Sequence, residues 1–371
     1  MRSSRPRGWI SVLAALSLAV VCALALVACG DDDDDDGGGG GAQASDVTLT
    51  IGSWGGAFDE ATRNAYSDGF ESEVGPKTRF VAAPGTQLAR IEAQNEAGEI
   101  EWDAVGLTQD AAFILDQKGY LAQLPADVKA KLEDALGADK VTPFGFSYGN
   151  IGNVIACNMD RMDECPRDMA EFYDTERFPQ SRTFAGIGPL MAVTTAQVAS
   201  GVPRSETART PVDMDAAFEQ LEAIKPKIDV FWQSGDQQEQ VMRSGGADMG
   251  ILWSNRAYSL AADGMNIEVN WADGALEPGF WAVLEGAPNE DEAFELLEWI
   301  ATHPEAQAEW AEEVHSSPPH PGAVELLPAK FATELADNPR NFEQMAIPNF
   351  EWYATHTDEL DRRYRDFVRG G

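Results

Sequence analysis

Apolar and polar residues alternate through Val47, Leu49 and Ile51, the spacing of a half-buried strand, and the run leads into Ser53-Trp54-Gly55-Gly56. From Ala57 to Glu73 the apolar positions Phe58, Ala61, Ala65 and Phe70 recur at helical intervals, predicting a helix that Gly75 ends. Lys77 to Val81 reads as a second strand, Thr86 to Ala97 as a helix with Leu88 and Ile91 inward, and Trp102 to Leu107 as a third strand. Thr108 is placed to cap a further helix carrying Phe113, Ile114 and Leu115, which Gly119 stops. Strand and helix alternate, so an α/β unit with a mainly parallel sheet is expected. Ligands bind such sheets at the carboxyl ends of strands, here Trp54-Gly55-Gly56 and Thr108-Gln109-Asp110.

Further on, Asn153 to Ala156 is an apolar run and Asp160 to Pro179 is polar and irregular. Asp213 to Ile224 and Asp291 to Ala301 read as helices, the latter stopped by Pro304, and Met249 to Trp253 and Ile267 to Trp271 as strands. No repeat recurs at a fixed period. The second half is therefore α/β as well, and two similar lobes are expected rather than one large sheet; 371 residues suffice for both.

The N-terminus differs in kind. Arg2, Arg5 and Arg7 precede an uncharged run from Gly8 that ends in Leu26-Val27-Ala28-Cys29. This makes residues 1–28 an export signal, with an uncleaved membrane anchor as the alternative. The last four residues resemble the bacterial lipobox, which implies lipid attachment at Cys29. Residues 29–45, with Asp31 to Asp36 followed by Gly37 to Gly41, cannot pack a core and read as a solvated tether. The Asp run supplies no fixed geometry for calcium. Of the remaining cysteines, Cys22 falls in the signal, and Cys157 and Cys165 are suited to a local disulfide, a buried free thiol being the alternative.

With 27 basic and 62 acidic residues the net charge is −35, which excludes nucleic-acid binding through a general basic surface. Gly145-Phe146-Ser147-Tyr148-Gly149 fits the G-x-S-x-G pattern of a hydrolase, with His315 or His320 as base and Asp291 as acid. That motif needs a helix directly after the serine, whereas Asn150 to Ala156 reads as loop and strand. His303, His315, His320 and His356 lack metal-site spacing, and Gly186-Ile187-Gly188 lacks the third glycine of a dinucleotide fingerprint, so neither metal nor cofactor is expected.

Ser53-Trp54-Gly55-Gly56, Trp102-Asp103, Gly250-Ile251-Leu252-Trp253-Ser254-Asn255-Arg256 and Gly279-Phe280-Trp281 with Gly286-Ala287-Pro288-Asn289 stand in one order along the chain. Together with the lipobox and tether they resemble the solute-binding lipoproteins of ABC importers, nearest the spermidine/putrescine-binding-like group. The resemblance implies a two-lobed, type II periplasmic-binding-protein-like fold with a ligand cleft between lobes. Lobe 1 would comprise residues 46–155 with 282–325, and lobe 2 residues 156–281 with 326–371. It also implies a monomer, not an enzyme, lipid-anchored at the outer face of the cell membrane, that hands a small amine-bearing solute to an ABC permease. A sensing lipoprotein without a transporter is the alternative, and a lipid-anchored serine hydrolase a weaker one.

By that resemblance Trp54, Trp253 and Trp281 line the cleft, while Trp102, Trp299 and Trp310 belong to core packing. Gly55, Thr108, Gln109, Asp110, Ser234 and Gln237 offer polar contacts. Asp110 either pairs with a ligand ammonium or stabilises a helix N-terminus. Polyamine binders of the family place an Asp two residues beyond the third Trp, where this chain has Val283. Arg256 would repel a diamine and grip a carboxylate. A zwitterion such as an amino acid or ω-amino acid is therefore expected, with Arg256 on the carboxylate and Asp110 on the amine, a polyamine remaining the alternative. The alternative for Arg256 is a solvent-facing group or a pair with acidic neighbours.

Overall fold

A computed structural model describes residues 46–370; the signal, the tether and Cys29 lie outside the described residues. Strand β1 (Thr48–Ser53) buries Leu49 and Ile51, as the alternation predicts, but Thr50, Gly52 and Ser53 are buried as well. It runs between two parallel neighbours, β2 (Lys77–Ala82) and β3 (Ala104–Thr108), with cover on both faces. The helix predicted from Ala57 starts at Gly56 and passes through a π-helical turn, Arg63–Ser67, before ending at Glu73. At that turn the hydroxyl of Thr62 donates to the carbonyl of Phe58 and accepts from the indole of Trp310, at 2.7 and 3.1 Å.

The remaining strands are β4 (Val141–Thr142), β5 (Gly145–Asn158), β6 (Arg182–Ala185), β7 (Ile228–Trp232), β8 (Met249–Trp253) and β9 (Ile267–Val283). They lie in the order β2-β1-β3-β9-β5-β8-β6-β7, with β4 pairing β5. The sheet departs from the mainly parallel, divided arrangement expected. Each end is a parallel trio, β2-β1-β3 or β8-β6-β7, but β5 and β9 run antiparallel to each other and to the trios. The predicted strand at Ile267 continues for 17 residues, long enough to pair with β5 throughout and with β3 at its far end. One hydrogen-bonded ladder therefore spans both halves.

Along the end of β9, alternate residues enter two cores. Trp281 and Val283 join Leu49, Phe70 and Trp310, whereas Phe280, Ala282 and Leu284 join Ile91, Trp102 and Leu115 on the opposite face. A third core lies around β5, β6 and β8 and takes in the C-terminal helix Phe350–Arg369, whose Tyr353, Leu360, Tyr364 and Phe367 are buried. That helix packs against the helices Gln109–Gln117, Pro189–Ala199 and Met214–Ile224.

The polar stretch from Asp160 to Pro179 contains one short helix, Met169–Tyr173, and a disulfide joins Cys157 to Cys165. Its organising group is Arg182, wholly buried at the start of β6. Its guanidinium donates to the carbonyls of Phe172, Phe178 and Gln180 at 2.7–3.1 Å, and burial pulls its pKa down to about 10. Arg182→Met keeps the bulk but strips three carbonyls of their donor, so the urea midpoint should fall by the equivalent of about 2–4 kcal/mol. Arg182→Lys should recover part of that loss.

Candidate functional site

Both halves present an indole where a strand gives way to a helix. At the end of β1, Gly55 and Gly56 hold φ of 76° and 56°, a left-handed path that only glycine takes without strain, and Gly55 N–H donates to Asp59 at 2.9 Å. This turn holds Trp54 at the carboxyl end of β1. In the other half, β8 ends at Trp253 and the helix Ser254–Ala262 follows at once. The two indoles meet edge to face, their centroids 6.1 Å apart. Trp54 donates to the Tyr148 hydroxyl at 3.0 Å; Trp253 donates to Glu277 at 3.0 Å through its ring and to Gln238 at 2.9 Å through its backbone.

Two adjoining cavities, of about 60 and 140 Å³, share Trp54, Thr108, Trp253 and Glu277 as walls. The first adds Phe58, Tyr148, Trp310 and Arg256; the second adds Asp110, Asn153, Trp232, Tyr353 and Asp361. Glu277, in the middle of β9, is 7% exposed. Asn153 and Trp253 both donate to its Oε2, at 2.6 and 3.0 Å, and among the described residues no protein donor reaches Oε1. Burial raises its pKa to about 7, helped by the charge of Asp110 and opposed by those two hydrogen bonds.

Asp110 sits in the first turn of the helix Gln109–Gln117, where a negative charge is favourable against the helix dipole, and it also lines the second cavity. Its Oδ1 is buried without a hydrogen-bond partner, and burial raises its pKa against the pull of the Thr108 hydroxyl and the local amides. Arg256 stands across the shared walls. One guanidinium nitrogen pairs with Glu239 at 3.1 Å and with the more exposed Asp236 at 3.4 Å, so the acidic neighbours considered for it are present. It lines the first cavity all the same, and its Nε is buried with no acceptor.

Trp54, Thr108 and Trp253 thus line both cavities, with Arg256 on the first and Asp110 on the second. Gly55 and Ser234 line a small recess beside Arg256 and Asp236. The Ser234 hydroxyl caps the helix Gly235–Ser244 by accepting from the Gln237 amide at 3.2 Å, and the Gln237 side chain accepts from Gln233 at 2.7 Å. Gln109 opens onto a separate groove with Lys140 and Asn150. Trp281 is 2% exposed and packs on Tyr148 and Phe58, beneath the cavity wall. Trp102 and Trp299 are core residues, while Trp310, also buried, forms part of the wall.

The sequence reading missed Glu277, Asn153, Tyr148, Tyr353 and Asp361. Glu277 had a signal: it is the one charged residue in the otherwise uncharged stretch Ala275–Leu284. Ser147 of the hydrolase-like motif lies within β5, with no strand-to-helix turn around it. His315 bonds Glu334 at 2.8 Å and His320 caps the helix Pro321–Leu326.

Residues 65–341 match the family model described as bacterial extracellular solute-binding protein. The γ-aminobutyric acid-binding protein of Pseudomonas aeruginosa is 26% identical over 331 residues, 87% of this chain and 91% of that protein. A solved GABA receptor is 29% identical with a TM-score of 0.78, covering 86% of this chain and 97% of its own. The spermidine/putrescine-binding protein of Streptococcus pneumoniae shares the fold at 15% identity, with a TM-score of 0.64 over 87% of this chain and 99% of its own. These relatives are two-lobed receptors and not enzymes. The chain belongs to the bacterial extracellular solute-binding protein family.

Proposed function

We propose that the protein captures a small zwitterion of the ω-amino acid class, such as γ-aminobutyric acid, outside the membrane and delivers it to its permease. The observation that carries this reading is the polarity of the two adjoining cavities: Arg256 lines the first, Asp110 the second, and Glu277 with the indoles of Trp54 and Trp253 the walls they share. A guanidinium grips a carboxylate, the paired acids receive an ammonium, and the ring faces enclose a methylene stem. Val283, where the polyamine binders carry an acid, is fully buried in the core. The names of the P. aeruginosa relative and the solved GABA receptor point the same way.

The walls come from both ends of the sheet, so ligand contacts are complete only when the lobes approach, and binding draws the population toward that state. We take 46–155 with 282–325 and 156–281 with 326–371 as the moving lobes. The lipobox-like sequence supports attachment of the single receptor chain through Cys29.

Calorimetric titration of the purified chain with γ-aminobutyrate, putrescine and spermidine tests the ligand class. γ-Aminobutyrate should bind, and Arg256→Ala should weaken it by about 2–5 kcal/mol. Binding of putrescine that Arg256→Ala leaves equal or tighter would replace the zwitterion with a polyamine.

Glu277 adds a pH dependence of definite sign. Its folded pKa lies above the ordinary 4.5, at about 7, so its protonated form stabilises the ligand-free protein fully at low pH, and that stability is lost as pH rises through about 7. Glu277→Gln should therefore unfold later than the parent at pH 8, by up to about 3 kcal/mol, and show no such advantage near pH 4. An ammonium ligand favours the ionised carboxylate. Binding near pH 6 should thus release a proton, read as a dependence of the calorimetric heat on the buffer's ionisation enthalpy.

A further inference from the structure

The second cavity holds more acid than an ω-amino acid requires. Asp110, Glu277 and Asp361 all line it, and no Lys, Arg or His does so among its described walls. An ammonium has three N–H donors, which the free oxygens of Asp110 and Glu277 and the hydroxyl of Thr108 can satisfy. Asp361 is left over. It comes from the C-terminal helix, away from the strand ends that build the rest of the site, and the Tyr353 hydroxyl donates to its Oδ1 at 3.3 Å. Asp110 raises the pKa of both Glu277 and Asp361 through its charge, so the three carboxyls share one electrostatic environment.

Two observations mark this space as built for a ligand. Glu277 is more than nine-tenths buried with its Oε1 lacking a protein donor, and the Oδ1 of Asp110 is buried and unpartnered. Burying the Asp110 oxygen without a partner is costly, and a cationic group with several donors removes that cost while also reaching the free oxygen of Glu277. Three indoles, those of Trp54, Trp232 and Trp253, complete the walls, and aromatic rings attract planar cations.

We propose that this arm receives a guanidinium, with Asp361 as the residue that distinguishes it from an ammonium, so that the protein binds ω-guanidino acids as well as ω-amino acids. A guanidinium carries five N–H donors in one plane, enough to reach the Asp110 and Glu277 pair and Asp361 together, and it stacks on indole where an ammonium does not. The inference rests on the orientation proposed above, with the carboxylate at Arg256.

The test is titration of the purified full chain with 4-guanidinobutyrate, γ-aminobutyrate and agmatine, repeated with Asp361→Asn and with Tyr353→Phe. The expected result is binding of both acids by the parent. Asp361→Asn should weaken 4-guanidinobutyrate at least about tenfold and leave γ-aminobutyrate within about twofold, a differential charge-assisted hydrogen bond being worth that much. Tyr353→Phe, which keeps the ring packing, should weaken the guanidino acid alone by a smaller factor. Equal loss of both acids in Asp361→Asn would show a merely structural carboxylate and overturn the inference. Binding of γ-aminobutyrate with no response to 4-guanidinobutyrate would overturn it too, while leaving the proposed function intact. Agmatine binding tighter than either acid would overturn the orientation on which both readings rest, and failure of both acids to bind would remove the two together.

Discussion

The hydrogen bond from the Trp253 indole to Glu277 ties the end of β8 to the middle of β9, and much of the site's arrangement hangs on it. Asn153, on β5 between those strands, donates to the same carboxylate oxygen, so three neighbouring strands share one buried acceptor. This holds the Trp253 ring at the boundary of the two cavities, against Trp232 and facing Trp54. It also leaves the other oxygen of Glu277 open. A carboxylate with one oxygen fully engaged and one free is pre-organised, since it cannot rotate toward a wrong partner without losing both donors.

Arg256 shows the complementary strategy. Its charge is shared with Glu239 and Asp236, so the cleft does not hold a bare cation beside two aromatic rings before ligand arrives. The exposed Asp236 can give up its place at little cost, whereas Glu239, held by Arg243 as well, stays. The carboxylate of the proposed zwitterion would thus meet a positive charge already positioned and only partly neutralised.

Much of this was legible in the residues. Trp54, Thr108 and Asp110 follow from one rule, that ligands bind at the carboxyl ends of parallel strands, whereas Trp253 and Arg256 rest on the family resemblance; all five line the two cavities. Glu277 escaped that rule because it sits inside a long antiparallel strand, where a terminus gives no cue. Trp281 shares a strand face with Glu277 but lies four residues further along, about 13 Å at strand rise, which carries it below the cavity and into the core. The C-terminal helix was hidden by its own charges: Tyr353, Leu360, Tyr364 and Phe367 form a thin apolar stripe among acidic and basic neighbours. Its contribution of Asp361 depends on tertiary packing that no local pattern encodes.

The long pairing of β5 with β9 also bears on the mechanics of the proposed closure. Where two lobes are joined by loose linkers, approach costs little and conformers diffuse freely; here the joint is a ribbon of paired backbone, and movement means changing its twist and bend. Such a ribbon behaves as a torsion spring, with its stiffness set by the sequence along it. Glycines punctuate this one, at Gly145, Gly149 and Gly152 on one strand and Gly274 and Gly279 on the other, and two ladder irregularities interrupt its register. In the closure proposed above, the compliance of these few positions would set how much binding energy is stored as elastic strain, and therefore how readily the solute is let go.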